Sequence, residues 1–87
     1  MHSSDSAVCA LTLLAWWLGD LTISDLRWRY IGLGGSQLRD GLGDYLAGTM
    51  RWSASEHNFL AQALNERLWD LDCPSLAPLR EPDPHRR

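Results

Sequence analysis

Lysine is absent from this 87-residue chain. All eight basic residues are arginine, set against 11 acidic ones for a net charge of −3. Arginine in place of every lysine reads as a bias toward GC-rich codons and carries no functional weight. The acidic balance does carry weight: a nucleic-acid binder needs a basic footprint to displace counterions from phosphates, and none stands out. Cysteine is nearly as scarce. Cys9 and Cys73 lie far apart, and neither belongs to a CxxC pair. Two cysteines are too few for a disulfide framework. They read as two small buried hydrophobes in a reducing compartment, with a single Cys9–Cys73 bridge as the alternative for an exported chain.

No apolar run is long enough to cross a bilayer. The longest, 7–18, has 12 residues and is interrupted by Thr12, where a spanning helix needs about 20. Only His2 precedes it in place of the basic start of a signal peptide, and no clear small-residue cleavage site follows Leu18. The expectation is a cytoplasmic protein without a membrane span.

Motifs that fix a chemistry are missing as well. No HExxH or ExxH spacing is present, so no metal site is expected. No GxSxG elbow surrounds any serine. Gly32-Leu33-Gly34-Gly35 lacks a following GK[ST] or a third spaced glycine, so it reads as a glycine turn and not a phosphate loop. Asp40 and Asp44 sit one helical turn apart, which suits a solvated face better than a hydrolytic pair. His57 is the best candidate for a special residue. It stands four positions after Ser53 and five after Trp52, the spacing of a hydrophobic staple in which Trp52 stacks on His57. A role as general base or metal ligand needs partners, and none is local. The chain is therefore expected to be no enzyme and to use no cofactor or metal.

What the chain has is hydrophobic mass on a short length. It is 45% hydrophobic and carries five tryptophans, one way a small core is enlarged. The length allows one domain, expected at 1–79, with a polar, proline-containing disordered tail at 80–87. Four helices are expected. The first, about 5–18, follows the capping cluster Ser3–Ser6, has no polar face, and ends with Gly19 at the C′ position. The second, 23–32, opens on Thr22 and Asp25. Its alternating Leu26-Arg27-Trp28-Arg29-Tyr30 also fits a strand, but no second strand is evident to pair with it. The third, 37–47, is capped by Ser36 and carries the apolar stripe Leu38, Leu42, Tyr45 and Leu46; its internal Gly41 and Gly43 suggest either close approach of another backbone or a ring, or a kinked or short helix. The fourth, 54–70, opens on the capping box Ser53–Glu56, buries Phe59, Leu60, Ala63, Leu64, Leu68 and Leu71, and turns Asn58, Gln62, Asn65 and Glu66 to water. Beyond it, Leu76 and Leu79 are expected to dock back on the body.

The fold expected is an all-α, small orthogonal bundle of about four helices, with a core of Leu11, Leu14, Leu18, Leu26, Tyr30, Leu42, Leu46, Leu60, Leu64 and Leu68. A helix apolar all round belongs in an interior. Leaving three of the large side chains of the first helix in water costs about as much as a small domain's whole stability. That helix is therefore either the central one or part of an interface. The second case makes the chain a non-enzymatic protein–protein interaction module, regulatory or homodimerising, with Trp16, Trp17 and Trp28 at the contact surface and a protein or a second copy as partner. The alternative is a helix-turn-helix nucleic-acid binder using the helix at 54–70. Its Asn58, Gln62 and Asn65 could read adenine, but Glu56, Glu66, Arg67 and Asp70 offer little to hold a phosphate backbone.

Overall fold

A computed structural model describes residues 3–81, with side chains for all but 3–7 and 39. The described residues form four α-helices and no strand: α1 (Ser3–Gly19), α2 (Ile23–Gly32), α3 (Arg39–Leu46) and α4 (Ala54–Asp70). The expected all-α bundle is what the chain forms. The alternating segment in the second element is helical, because Leu26 and Tyr30, one turn apart, are both fully buried while Trp28 faces water. The chain turns through 111° between α1 and α2, and these two helices do not pack on each other.

The central helix is α4, not α1. Both α1 and α2 pack on α4, and α3 packs on α2 and more lightly on α1. Leu60, Ala61, Ala63, Leu64 and Leu68 of α4 are buried and meet Leu26, Tyr30, Leu42 and Leu46 in one core. Three leucines expected in that core are outside it: Leu11, Leu14 and Leu18 are exposed at 39%, 40% and 40%. The reason lies in side-chain size. The face of α1 turned inward carries Thr12, Ala15 and Gly19, all buried, with Val8 half-buried beside them. Small residues let two helix backbones approach closely, and the large ones are left on the other side. Thr12 satisfies its hydroxyl on the Val8 carbonyl at 2.7 Å, so it can be buried without cost to hydrogen bonding. Gly19 is the last helical residue, not the residue beyond. A methyl there would come 3.2 Å from the Arg67 side chain, whose Nε donates to the Gly19 carbonyl at 2.8 Å. Asp20 takes the left-handed conformation instead, at φ 53°.

Thr22 and Ser53 cap as their positions imply, accepting from the amides of Asp25 at 3.0 Å and Glu56 at 3.2 Å. The rest of the capping box does not close. The Glu56 carboxylate reaches across to Tyr30 and to Ser36. That engagement removes Ser36 as a cap, and α3 starts two residues later than expected with Leu38 at its N-cap and no side-chain bond there. No ring or foreign backbone approaches Gly43, and a methyl at Gly41 would make only ordinary contacts with Gln37 and Met50; the helix is short instead, at 8 residues, and Leu38, expected in its stripe, is exposed at the N-cap.

After α4 the chain turns at Asp72 (φ 59°) and doubles back as a strap. Asn65 holds Ala77 through both amide atoms, donating to its carbonyl and accepting from its N–H, each at 2.9 Å. Asn58 holds Arg80 in the same way, at 2.9 and 2.7 Å. These two asparagines are therefore structural and not on a wet face; of the four polar residues expected there, Gln62 is exposed and Glu66 half-buried, while Leu71, expected in the buried stripe, is exposed where the chain leaves α4. Leu76 packs against the core, but Ala77 takes the buried place expected for Leu79, which is 63% exposed. Arg80, the first residue of the expected tail, is anchored by Asn58, and 82–87 lie outside the described residues.

Candidate functional site

The inner and outer faces of α1 follow from helix geometry. At about 100° per residue, positions 8, 12, 15 and 19 cluster on one side, and positions 10, 13, 14 and 17 cluster about 180° away. The second set faces directly away from the body. It consists of Ala10, Leu13, Leu14 and Trp17, flanked by Leu11 and Leu18. Leu13 is exposed at 44% and Trp17 at 74%. Ala10, Leu13, Leu14, Trp16 and Trp17 line a groove of about 420 Å³. No charged residue occurs between Val8 and Gly19, so the face is a continuous apolar surface.

The structure treats the three predicted contact tryptophans differently. Trp17 is the most prominent side chain of this face. Trp16 is half-buried against the core, and its Nε1 donates to the Leu21 carbonyl at 3.0 Å, which braces the turn into α2. Trp28 is as exposed as Trp17, but it stands on α2, which diverges from α1. The leucines of α1 complete the surface, although the sequence suggested Leu11, Leu14 and Leu18 for the core. The pattern that distinguishes the two faces is the series of small residues Thr12, Ala15 and Gly19 at helical spacing.

Three titratable side chains, His57, Tyr30 and Glu56, are tied up by contacts within the fold. Trp52 stacks on Tyr45 (4.3 Å, 4°) and on Tyr30 (5.4 Å, 25°), and it is Tyr45 that meets His57 edge-on. The staple expected between Trp52 and His57 is thus made through an intervening ring. His57 is fully buried. Its Nε2 lies 2.8 Å from the Pro78 carbonyl, which can only accept, so this nitrogen carries the proton. Nδ1 then accepts from the Tyr45 hydroxyl at 2.5 Å. Burial pushes the imidazole pKa below its usual value, against the Pro78 hydrogen bond and with help from Arg80. A neutral histidine with both nitrogens engaged has no lone pair to offer a substrate.

The Tyr30 hydroxyl donates to Glu56 and accepts from the amides of Ser36 (3.0 Å) and Gln37 (2.8 Å). Burial and then the Glu56 bond push the Tyr30 pKa up to about 12. Burial alone would raise the Glu56 carboxyl, but the bonds from Tyr30 and Ser36 outweigh it and hold the group below its ordinary value. Asp40 and Asp44 border a shallow hollow beside Ile23 and Gly43, and both are exposed. Among the described residues, no group of three or more His, Cys, Asp or Glu side chains could hold a metal ion. Among them too, no single helix is long and apolar enough to cross a membrane. Both cysteines are free, and Cys9 is exposed, not buried as its residue type suggested.

The chain matches no family model, no curated protein and no solved structure.

Proposed function

We infer that this chain is a non-enzymatic protein-association module that works through the outer face of α1. One observation supports this above the others: a helix of the fold turns its small residues inward and its leucines and Trp17 outward. A helix serving only its own core would be selected for the reverse. The exposed parts of Leu11, Leu13, Leu14, Trp17 and Leu18 amount to roughly 500 Å² of apolar surface, the upper range for the largest patch on a monomer, where such patches are commonly functional. A large ring projecting from a rim of leucines is the composition of an interface anchor.

The alternatives draw on weaker observations. A nucleic-acid reader would present α4, yet Asn58 and Asn65 are committed to the strap and α4 is the most buried helix. A helix lying in an anionic membrane surface carries a basic polar face, and α1 has no basic residue at all.

The test is sedimentation of the full chain over a range of concentrations, alongside Trp17→Glu and Leu14→Glu. Both positions are exposed, so both variants should keep the wild-type helical circular dichroism. The expected result is self-association of the wild type in the micromolar range, weakened at least tenfold in either variant. A wild type that stays monomeric at about 100 μM, with α1 amides exchanging as freely as those of an exposed helix, would remove self-association and leave the face to a different protein. Steeply salt-dependent retention on heparin, which belongs to the helix-turn-helix alternative, would overturn the reading.

A further inference from the structure

We propose that two copies of this chain pair through α1 in an antiparallel, two-fold symmetric arrangement, with Trp17 of each copy seated over Ala10 of the other. This rests on the reading of α1 as an association surface and adds to it the partner and the geometry.

The face carries both halves of a self-complementary contact. Ala10 and Trp17 line the same groove, one a gap and the other a projection. They lie at equal distances on either side of the midpoint between Leu13 and Leu14. A two-fold axis level with that midpoint, perpendicular to both helices and lying between them, sets position 10 of each copy opposite position 17 of the other. Each ring then meets the other copy's alanine, as an isologous interface requires. Positions 10 and 17 both fall near the centre line of the outer face. Leu13 and Leu14 fall on opposite sides of it, so each meets its own counterpart across the axis.

The spacing agrees with helix pairing. Ala10, Leu13 or Leu14, and Trp17 follow a 3.5-residue repeat, the seam along which two helices cross at about 20°. Because the seam points directly away from α4, a second copy can reach it without meeting the body of the first. Orientation is decided by electrostatics. Parallel helices would align their macrodipoles, whereas antiparallel ones set each positive end beside a negative end. No charged side chain between Val8 and Gly19 acts against either copy. Two such faces bury at most about 1,000 Å², the lower bound for a specific interface. The pair should therefore be a reversible one.

Directed disulfide formation distinguishes the arrangements. In a background of Cys9→Ser and Cys73→Ser, one chain carries Ala10→Cys and another carries Trp17→Cys. All four positions are at least partly solvent-exposed, and circular dichroism checks that the fold is kept. Under mild oxidation the mixture should give a 10–17 disulfide identified by peptide mapping, several-fold more abundant than the dimer formed by either chain alone. A dimer formed efficiently by the Ala10→Cys chain alone would show parallel pairing and overturn the proposal while leaving the association reading standing. A wild type that self-associates, loses this with Trp17→Glu, and gives no 10–17 link would do the same. No cross-link in any mixture together with a monomeric wild type would overturn the pairing and leave the outer face of α1 to a different protein.

Discussion

His57 is held by two neutral partners, the Pro78 carbonyl and the Tyr45 hydroxyl, and protonation of Nδ1 would turn an acceptor into a second donor. Its pKa in the fold lies below the 6.5 of an unperturbed histidine, chiefly through burial. As pH falls through about 6.5, the unfolded chain takes up a proton that the folded one refuses. Stability is therefore full above that pH and declines below it. Glu56, also depressed, adds a further loss once pH drops below the ordinary carboxyl range. The melting temperature should fall between pH 7 and pH 5, and His57→Gln should flatten that decline while lowering stability at pH 7. An unchanged slope in the variant would remove His57 as its source. A second side chain is more costly to lose. Asn65→Ala leaves both the N–H and the carbonyl of the buried Ala77 without partners, a loss of about 2–4 kcal/mol. Gln62→Ala on the exposed side should stay within about 0.5 kcal/mol. Urea denaturation of both measures the contrast. Neither role was legible in the sequence. Asparagine on a helix reads as wet unless its partner is known, and the partners lie 12 and 22 residues further on.

The helices show which signals are local. The bounds of α2 and α4 agree with expectation because Thr22 and Ser53 cap amides three residues away, an interaction contained in the sequence itself. The start of α3 does not agree, because Ser36 is occupied by a carboxylate from another helix. The glycines divide similarly. Gly35 has to be glycine: a methyl there would lie 2.2 Å from the Tyr30 ring. Gly35→Ala should displace that ring, break the Tyr30–Glu56 link and destabilise by about 1–3 kcal/mol. Gly43 stands in the interior of α3 with nothing within 4 Å of an added methyl. The helix bears the entropic cost of that glycine without a packing return, so Gly43→Ala should stabilise by about 0.5–1 kcal/mol. Thermal melts of the two variants should move in opposite directions. If Gly43→Ala destabilises, an unseen demand acts on that position.

For the molecule as a whole, the orientation of α1 was the least legible feature. Hydrophobicity alone gives the helix no face, since nearly every residue from 7 to 18 is apolar, and a rod without a polar side fits the centre of a bundle as well as an interface. Size is what orients it. Thr12, Ala15 and Gly19 fit the narrow space against α4, and α4, with its own apolar side chains, fills the centre instead. The two faces should thus respond to mutation in opposite ways. Ala15 is fully buried, so Ala15→Leu forces α1 away from α4 and should cost about 1–3 kcal/mol at any protein concentration. Leu14 lies on the opposite side of α1 from that contact, so Leu14→Glu leaves the α1–α4 packing untouched and should keep the folded monomer intact. Its effect should appear through mass action: an associating face raises the melting temperature as protein concentration rises, because pairing stabilises the folded state alone. Wild type and Ala15→Leu should keep that concentration dependence, and Leu14→Glu should lose it. If all three melt independently of concentration, α1 meets no second copy, and the leucines on its outer face need a different occupant.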